Sequence, residues 1–192
     1  MTDNATDDGR TQRQRMLAGD PYIADDPELL AESRRARTLM DAFNRTDTDD
    51  DAGRAQILGR LLGSFGADSE IRAPFHCDLG YQSHIGARTF VNFGLMALDV
   101  ATISIGDDVQ IGPNVQLLTP THPLDPDLRR AKWEAAEPIV IGDNVWLGGG
   151  VIVLPGVTIG ENSVIGAGAV VSRDIPANVV AVGNPARVIR SV

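Results

Sequence analysis

The 192-residue chain holds one cysteine, Cys77, and one lysine, Lys132, and aromatics make up only 5% of it. A single thiol closes no disulfide and assembles no thiolate metal cluster within one chain, which sets aside disulfide scaffolds and redox centres. No apolar run reaches the ~18 residues that a membrane-spanning helix requires. The opening MTDNATDDGRTQRQRM lacks the apolar stretch of an export signal, so the expected setting is the cytoplasm, with no membrane partner. Positive charge is short as well: 17 basic residues stand against 26 acidic ones, a net charge of −9, and a nucleic acid would meet a repelling field. The end of the chain departs from this balance. From residue 173 onward Arg173, Arg187 and Arg190 face one acid, Asp174, and a locally positive tail on an acidic protein suggests a site for a small anion.

Short aliphatic residues and glycine are plentiful, and they are periodic. Read in sixes from Ile141, the chain gives IGDNVW, LGGGVI, VLPGVT, IGENSV, IGAGAV and VSRDIP. The first position is aliphatic throughout (Ile141, Leu147, Val153, Ile159, Ile165, Val171), and the fifth is mostly small or branched. The same phase recurs upstream in IGDDVQ from Ile105 and IGPNVQ from Ile111, with a weaker unit at Ile85. A six-residue period with one inward aliphatic suits a short strand followed by a tight turn, where Gly, Asn or Asp tolerate the turn's dihedrals. Three such units make a triangular coil, and stacked coils bury together what one repeat cannot. Such a core needs few large rings.

Two amphipathic patterns precede the repeats, at 27–45 and 51–65, and read as helices that cap one end of the solenoid. The expected organisation is a polar tail at 1–12, a helical cap at 13–68 and a repeat domain at 69–192. Residues 119–138, TPTHPLDPDLRRAKWEAAEP, break the six-fold rhythm and return to phase at Ile141. They read as an inserted loop, and loops on rigid scaffolds are where catalytic groups concentrate.

Within that loop His122 lies between Pro120 and Pro123. An imidazole with a pKa near ~6.5 can take a proton from a hydroxyl at neutral pH. Glu134 and Glu137 follow and could hold its tautomer, as a carboxylate does in a triad. His76 and His84 read as ordinary polar positions on a strand face, and Cys77 as a small buried hydrophobe. The amides of LGGGVI could approach a ligand closely and steady an oxyanion, although turn geometry alone also calls for those glycines. Trp146 breaks the aliphatic-small pattern and is expected to point outward, against a partner subunit or a groove.

RMLAGDPY, ARTLMDAFN, FHCDLGYQSHIG, FVNFG, THPLDP, IGDNVWLGG, LPGVTIGENSVIGAGAVV and VGNPARVIR together resemble the hexapeptide-repeat sugar O-acetyltransferases, the maltose and galactoside acetyltransferase family. The resemblance covers roughly residues 13–191. It implies a mainly β chain: a left-handed parallel β-helix with an N-terminal α-helical cap and an inserted catalytic loop, assembled as a homotrimer with active sites between subunits. It also implies direct transfer of acetyl from acetyl-CoA to a sugar hydroxyl, with His122 as general base, Glu134 beside it and the Gly149 amide at the thioester. Asn92, Asp99, Phe90 and Asp25 fall at or next to acceptor positions. Trp146, Gly149, Ala167, Ser172, Arg173, Arg187 and Arg190 match positions along CoA.

Some positions depart from the galactoside pattern. Phe90 stands where galactoside enzymes carry Tyr, Val100 follows Asp99 where they carry a second acid, and their early acceptor acid falls near Ala24, with Asp25 and Asp26 adjacent. These differences lean toward a maltose- or glucose-like acceptor. His76, His84 and His122 lie 8 and 38 residues apart, without the closely spaced pair of the zinc-binding gamma-class carbonic anhydrases, so no metal is expected. The alternatives are acetylation of a xenobiotic or another small hydroxyl compound, and a non-catalytic trimeric scaffold.

Overall fold

The computed structural model describes residues 8–192, so most of the expected polar tail lies outside the described residues. The repeats wind into a parallel β-helix of three sheets. The first runs from Glu70–Ile71 through Phe90–Val91, Gln110–Ile111, Trp146–Leu147 and Val164–Ile165 to Val179–Val182. The second stacks Phe75–Cys77, Leu95–Leu98, Gln116–Leu118, Ile152–Val153 and Val170–Val171. The third stacks Ser64–Phe65, Ser83–Ile85, Ile103–Ile105, Ile139–Ile141 and Thr158–Ile159. The first rung thus begins at Ser64, ahead of residue 69.

Parallel pairing in register places each aliphatic over its equivalent: Ile85 over Ile105, Ile105 over Ile141, Ile141 over Ile159. Every first-position aliphatic from Ile141 to Val171 is at most 1% exposed. The fifth position also points inward, which the reading of one inward residue per unit understated. Val145, Val151, Ser163 and Ala169 are fully buried, because at each corner the turn brings a second side chain into the prism. Ser163 is tolerated there because its hydroxyl donates to Pro176 O (2.8 Å) and accepts from Val179 N (3.3 Å).

The fourth position of a unit is the left-handed residue of the turn, with φ +53° at Asn144, +59° at Asn162 and +70° at Gly168. Asn and Gly adopt that region at little cost. Neighbouring turns then bond to one another, Asn144 Nδ2 to Asn162 Oδ1 and Asn162 Nδ2 to Asn178 Oδ1, each at 3.0 Å.

The first coil is covered by α1 (Gln12–Leu17), α2 (Pro27–Arg45) and α3 (Asp51–Leu61). Asp26 caps α2 by accepting from Glu28 N (2.9 Å), and Pro27 opens it. Phe43, Ala36 and Leu61 are fully buried against the first rungs. Open backbone groups on the end coil find side-chain partners: Asn44 exchanges two hydrogen bonds with Phe75, and Arg54 donates to Ile71 O. The expected helix over 51–65 stops at Leu61. A Cβ on Gly63 would stand 2.3 Å from Tyr81 O, and Gly63 N already donates to Ser83 O, so the chain has joined the third sheet by that point. Among the described residues no helix is long and apolar enough to cross a membrane.

Coil spacing leaves no room for a Cβ at second-position glycines such as Gly86, Gly106, Gly142 and Gly160. A Cβ on Gly86 would lie 2.5 Å from the Gly106 carbonyl carbon and oxygen in the next coil. Gly86→Ala is therefore expected to lower stability by about 2 kcal/mol or more, read by denaturant unfolding, and unchanged stability would show that the coils can spread.

Candidate active site

The 119–138 insertion leaves the prism at the edge between the second and third sheets. Its root is fastened by the fully buried Thr119. The Thr119 hydroxyl donates to Leu98 O (2.6 Å) and accepts from Ala101 N (3.0 Å), while Glu137 N donates to Thr119 O (3.0 Å). The insertion has structure of its own: Pro120–Thr121 pairs antiparallel with Trp133–Ala136, and α4 (Pro126–Arg130) crosses its outer end behind the capping residue Asp125. A third strand comes from far away in sequence. Tyr22–Ile23 pairs antiparallel with Trp133–Ala136, setting Tyr22 opposite Glu134.

This small sheet gathers Tyr22, His122 and Glu134. His122 follows the Thr121↔Ala135 pair, so Glu134 is one step along on the facing strand. Glu134 Oε2 lies 3.9 Å from His122 Nδ1, with the imidazole 58% and the carboxylate 13% exposed. That gap is roughly 1 Å outside hydrogen-bond range. The other oxygen, Oε1, accepts a hydrogen bond from the Tyr22 hydroxyl. His122 and Glu134 border a cleft of about 300 Å³. Its walls include Met16, Leu29, Leu79, Leu98 and Val100, with Asp78 and Ser33 as further polar groups. Met16, Tyr22, Leu29 and Leu79 also form a separate buried cluster, so the cleft wall is itself a small core joining the cap to the β-helix.

The other residues singled out from the sequence fall elsewhere. Gly149 and Ala167 occupy stacked turns on the edge between the first and second sheets, where a Cβ on Gly148 would lie 2.5 Å from Ala167 N. Among the described residues the Gly149 N–H has no hydrogen-bond acceptor, and Gly168 N donates to Gly149 O (2.9 Å). Asn92 sits on that same edge, its side-chain oxygen taken by Phe93 N (2.8 Å). Phe90 lies under the Arg72 guanidinium, 4.8 Å from the ring centre. Trp146 projects from the first sheet and is 55% exposed, as its break in the pattern anticipated. Ser172 and Arg173 are exposed on the His122 edge, and Arg187 and Arg190 are exposed on the final strand, Arg187–Ser191, which runs antiparallel to Val179–Val182. One chain therefore brings His122 and Glu134 together but holds Asn92, Gly149 and Ala167 on a different edge of the prism. Asp25 is exposed beside the cleft residue Ala24 and does not line the cleft. Glu137 stays exposed at the loop root, His76 is exposed on its strand, and His84 contacts Ser64. Cys77 is 6% exposed, and burial pushes its thiol well above the ordinary value.

Asp99, expected to touch the acceptor, is fully buried. Its Oδ1 accepts from the amides of Asp78 (3.1 Å) and Leu79 (2.8 Å), and its Oδ2 accepts from Ser83 Oγ (3.0 Å). A carboxylate so occupied stands behind the cleft wall and shapes the Asp78–Leu79 turn. The acid that does line the cleft is Asp78, which the reading of the sequence passed over. Burial, reinforced by Asp99 and Glu134, pushes the Asp78 carboxyl up to about 6. Tyr22 was missed too, because 112 residues separate it from Glu134 and only the strand pairing joins them. Among the described residues no three His, Cys, Asp or Glu side chains converge as a metal site.

A carboxyl whose folded pKa lies above its unfolded value loses stabilisation as pH rises through that interval. Asp78→Asn is therefore expected to melt higher than the native protein at about pH 8, with the difference vanishing near pH 4, in melting curves across that range. An advantage constant with pH would place its origin outside Asp78 ionisation.

Known proteins bear on this geometry. Residues 15–66 match the family model described as a maltose acetyltransferase hexapeptide capping motif, and residues 138–173 match the bacterial transferase hexapeptide model of six repeats. A maltose O-acetyltransferase structure from Clostridium difficile 630 superposes with a TM-score of 0.94 at 47% identity, covering 95% of this chain and 98% of that one. A hexapeptide-repeat acetyltransferase from Vibrio cholerae O1 biovar eltor, complexed with acetyl-CoA, gives 0.88 at 39% identity over 95% and 98% of the two chains. The galactoside O-acetyltransferase of Escherichia coli K12 is 42% identical over 93% of this chain and 88% of its own. By capping motif, hexapeptide repeat and similarity along nearly the whole chain, this chain belongs to the maltose and galactoside acetyltransferase family of hexapeptide-repeat, acetyl-CoA-dependent O-acetyltransferases.

Proposed function

We propose that the protein transfers acetyl from acetyl-CoA to a sugar hydroxyl, with His122 as general base. The observation that carries this reading is the placement of an accessible imidazole at the mouth of a cleft, with a shielded carboxylate behind its far nitrogen. Nε2 takes the proton of an acceptor hydroxyl while that oxygen attacks the thioester carbonyl. The new C–O bond forms, the C–S bond breaks, and the imidazolium returns its proton to the departing thiolate. A shift of about 1 Å would let Glu134 accept from Nδ1–H and stabilise the imidazolium, and such contacts often tighten when substrate binds.

The separation of residues between two edges favours a homotrimer. When the His122 edge of one copy lies against the Asn92 and Gly149 edge of the next, base and oxyanion donor share a groove. Trp146, the Gly-Gly-Gly turn at 148–150 and the Gly-Ala-Gly turn at 166–168, with Ser172, Arg173, Arg187 and Arg190, then suit the length of CoA, with the guanidiniums toward its phosphates. Apolar side chains on the outer faces fit the same assembly: Phe93 is 51% and Leu124, near the tip of the insertion, 96% exposed. Relatives bearing maltose and galactoside names support a sugar acceptor, and a cytoplasmic setting belongs to the same proposal. A second reading, a less polar hydroxyl compound, is favoured by the apolar cleft wall of Met16, Leu29, Leu79, Leu98 and Val100.

Thiol release from acetyl-CoA across glucose, maltose, galactosides and chloramphenicol ranks these acceptors. His122→Ala is expected to lower turnover about 100-fold or more while CoA binding persists; turnover within a few-fold of native would remove His122 from the mechanism. Light scattering should return three times the chain mass, and Leu124→Asp should weaken that assembly and the activity together. A fully active monomer would refute the shared groove.

A further inference from the structure

The N-terminal segment does more than cover the first coil. Tyr22 is 2% exposed, lies directly across from Glu134 in the strand pairing, and donates its hydroxyl to Glu134 Oε1. With Oε1 held, Oε2 is the oxygen left facing His122 Nδ1. The strand that carries Tyr22 is in turn anchored: Ile23 N donates to Gln12 Oε1 (2.8 Å) and Ala24 N to Lys132 O (3.1 Å). Deeper in the cap, Glu32 accepts from both Arg13 (2.6 Å) and Tyr81 (2.6 Å), tying α1 and α2 to the turn beside Asp78.

We infer that Tyr22 is a positioning residue for acetyl transfer, which fixes the rotamer of Glu134 so that its free oxygen is aimed at the general base. The inference rests on the reading of His122 as that base. A buried phenol on a short strand is stiff, and a carboxylate bonded to it cannot swing toward solvent or toward the Arg129 and Lys132 side of the loop. The charged and titratable groups facing the pair are Asp78 and Tyr81 from the β-helix and Arg129 and Lys132 from the insertion. Burial, together with the adjacent carboxylate, pushes the Tyr22 phenol far above its ordinary value, so it remains a donor at neutral pH. The role is chemical as well as geometric: taking away the donated hydrogen bond would leave the Glu134 carboxylate a stronger partner for an imidazolium, and a stronger donor at position 22 would leave it a weaker one.

Tyr22→Phe keeps the ring and removes the bond. It is expected to lower kcat about 10-fold or more, to leave KM for acetyl-CoA within about two-fold, and to move the acidic limb of the kcat/KM profile to higher pH. Added to Glu134→Gln it should cost nothing further, because the two act through one contact. A Tyr22→Phe enzyme with native kcat and pH profile, or losses that simply add in the double variant, would overturn the inference. Should Tyr22→Phe fail to fold, 3-fluorotyrosine at position 22 keeps the packing with a more acidic hydroxyl. The acidic limb then moves to lower pH if the inference holds and stays in place if it does not. His122→Ala, run alongside, separates the two levels: activity retained there sinks the general-base reading, whereas an inactive His122→Ala beside an unaffected Tyr22→Phe sinks only the role of Tyr22.

Discussion

Coil-on-coil registry is the constraint on which everything else in this molecule depends. Parallel strands in adjacent coils sit about 4.8 Å apart, and Ile105, Ile141 and Ile159 must lie over one another at that spacing for their ladders to close. The same rule forbids a Cβ at Gly86, aligns the Asn144, Asn162 and Asn178 amides, and turns each corner of the prism into a column of equivalent positions. The interior of the prism is filled by two side chains per unit, one aliphatic and one small or branched, and polar groups for a site have to be added at the edges.

The insertion at 119–138 meets that requirement without breaking registry. It departs after Gln116–Leu118 and re-enters at Ile139–Ile141, so the coils above and below stack as though it were absent. Thr119 closes its root by bonding to the neighbouring coil, which keeps the His122 strand from wandering although the imidazole itself is accessible. The cap then supplies the third strand of the site. Covering the end coil and building the cleft wall are one packing event, since Met16, Tyr22 and Leu29 pack with Leu79 from the β-helix.

Buried acids divide the labour around the cleft. Asp99 is satisfied by two amides and a hydroxyl and behaves as part of the frame. Asp78 lines the cleft, and burial raises the carboxyls of both acids, Asp78 to about 6. The family resemblance pointed to Asp99, and only the burial of each carboxylate distinguishes frame from surface. The same limit applies to Asp25, adjacent in sequence to Ala24 but turned away from the cleft.

The sequence by itself determined the β-helix, its phase, the place of the insertion and the outward Trp146, because each depends on local periodicity: one aliphatic and one turn residue every six positions can be read without knowing what packs on what. The position of His122 within the insertion was legible for the same reason, as the histidine inside the break in rhythm. Tertiary structure alone decided which groups share a site. Tyr22 meets Glu134 across 112 residues, α3 gives way to a strand at Gly63 because Tyr81 O occupies the space a side chain would need, and Asn92 and Gly149 end on a different edge from His122. A period fixes where a residue lies within its own coil; which residues meet across the edge depends on the path of the cap and the fold of the insertion, and neither of these is periodic.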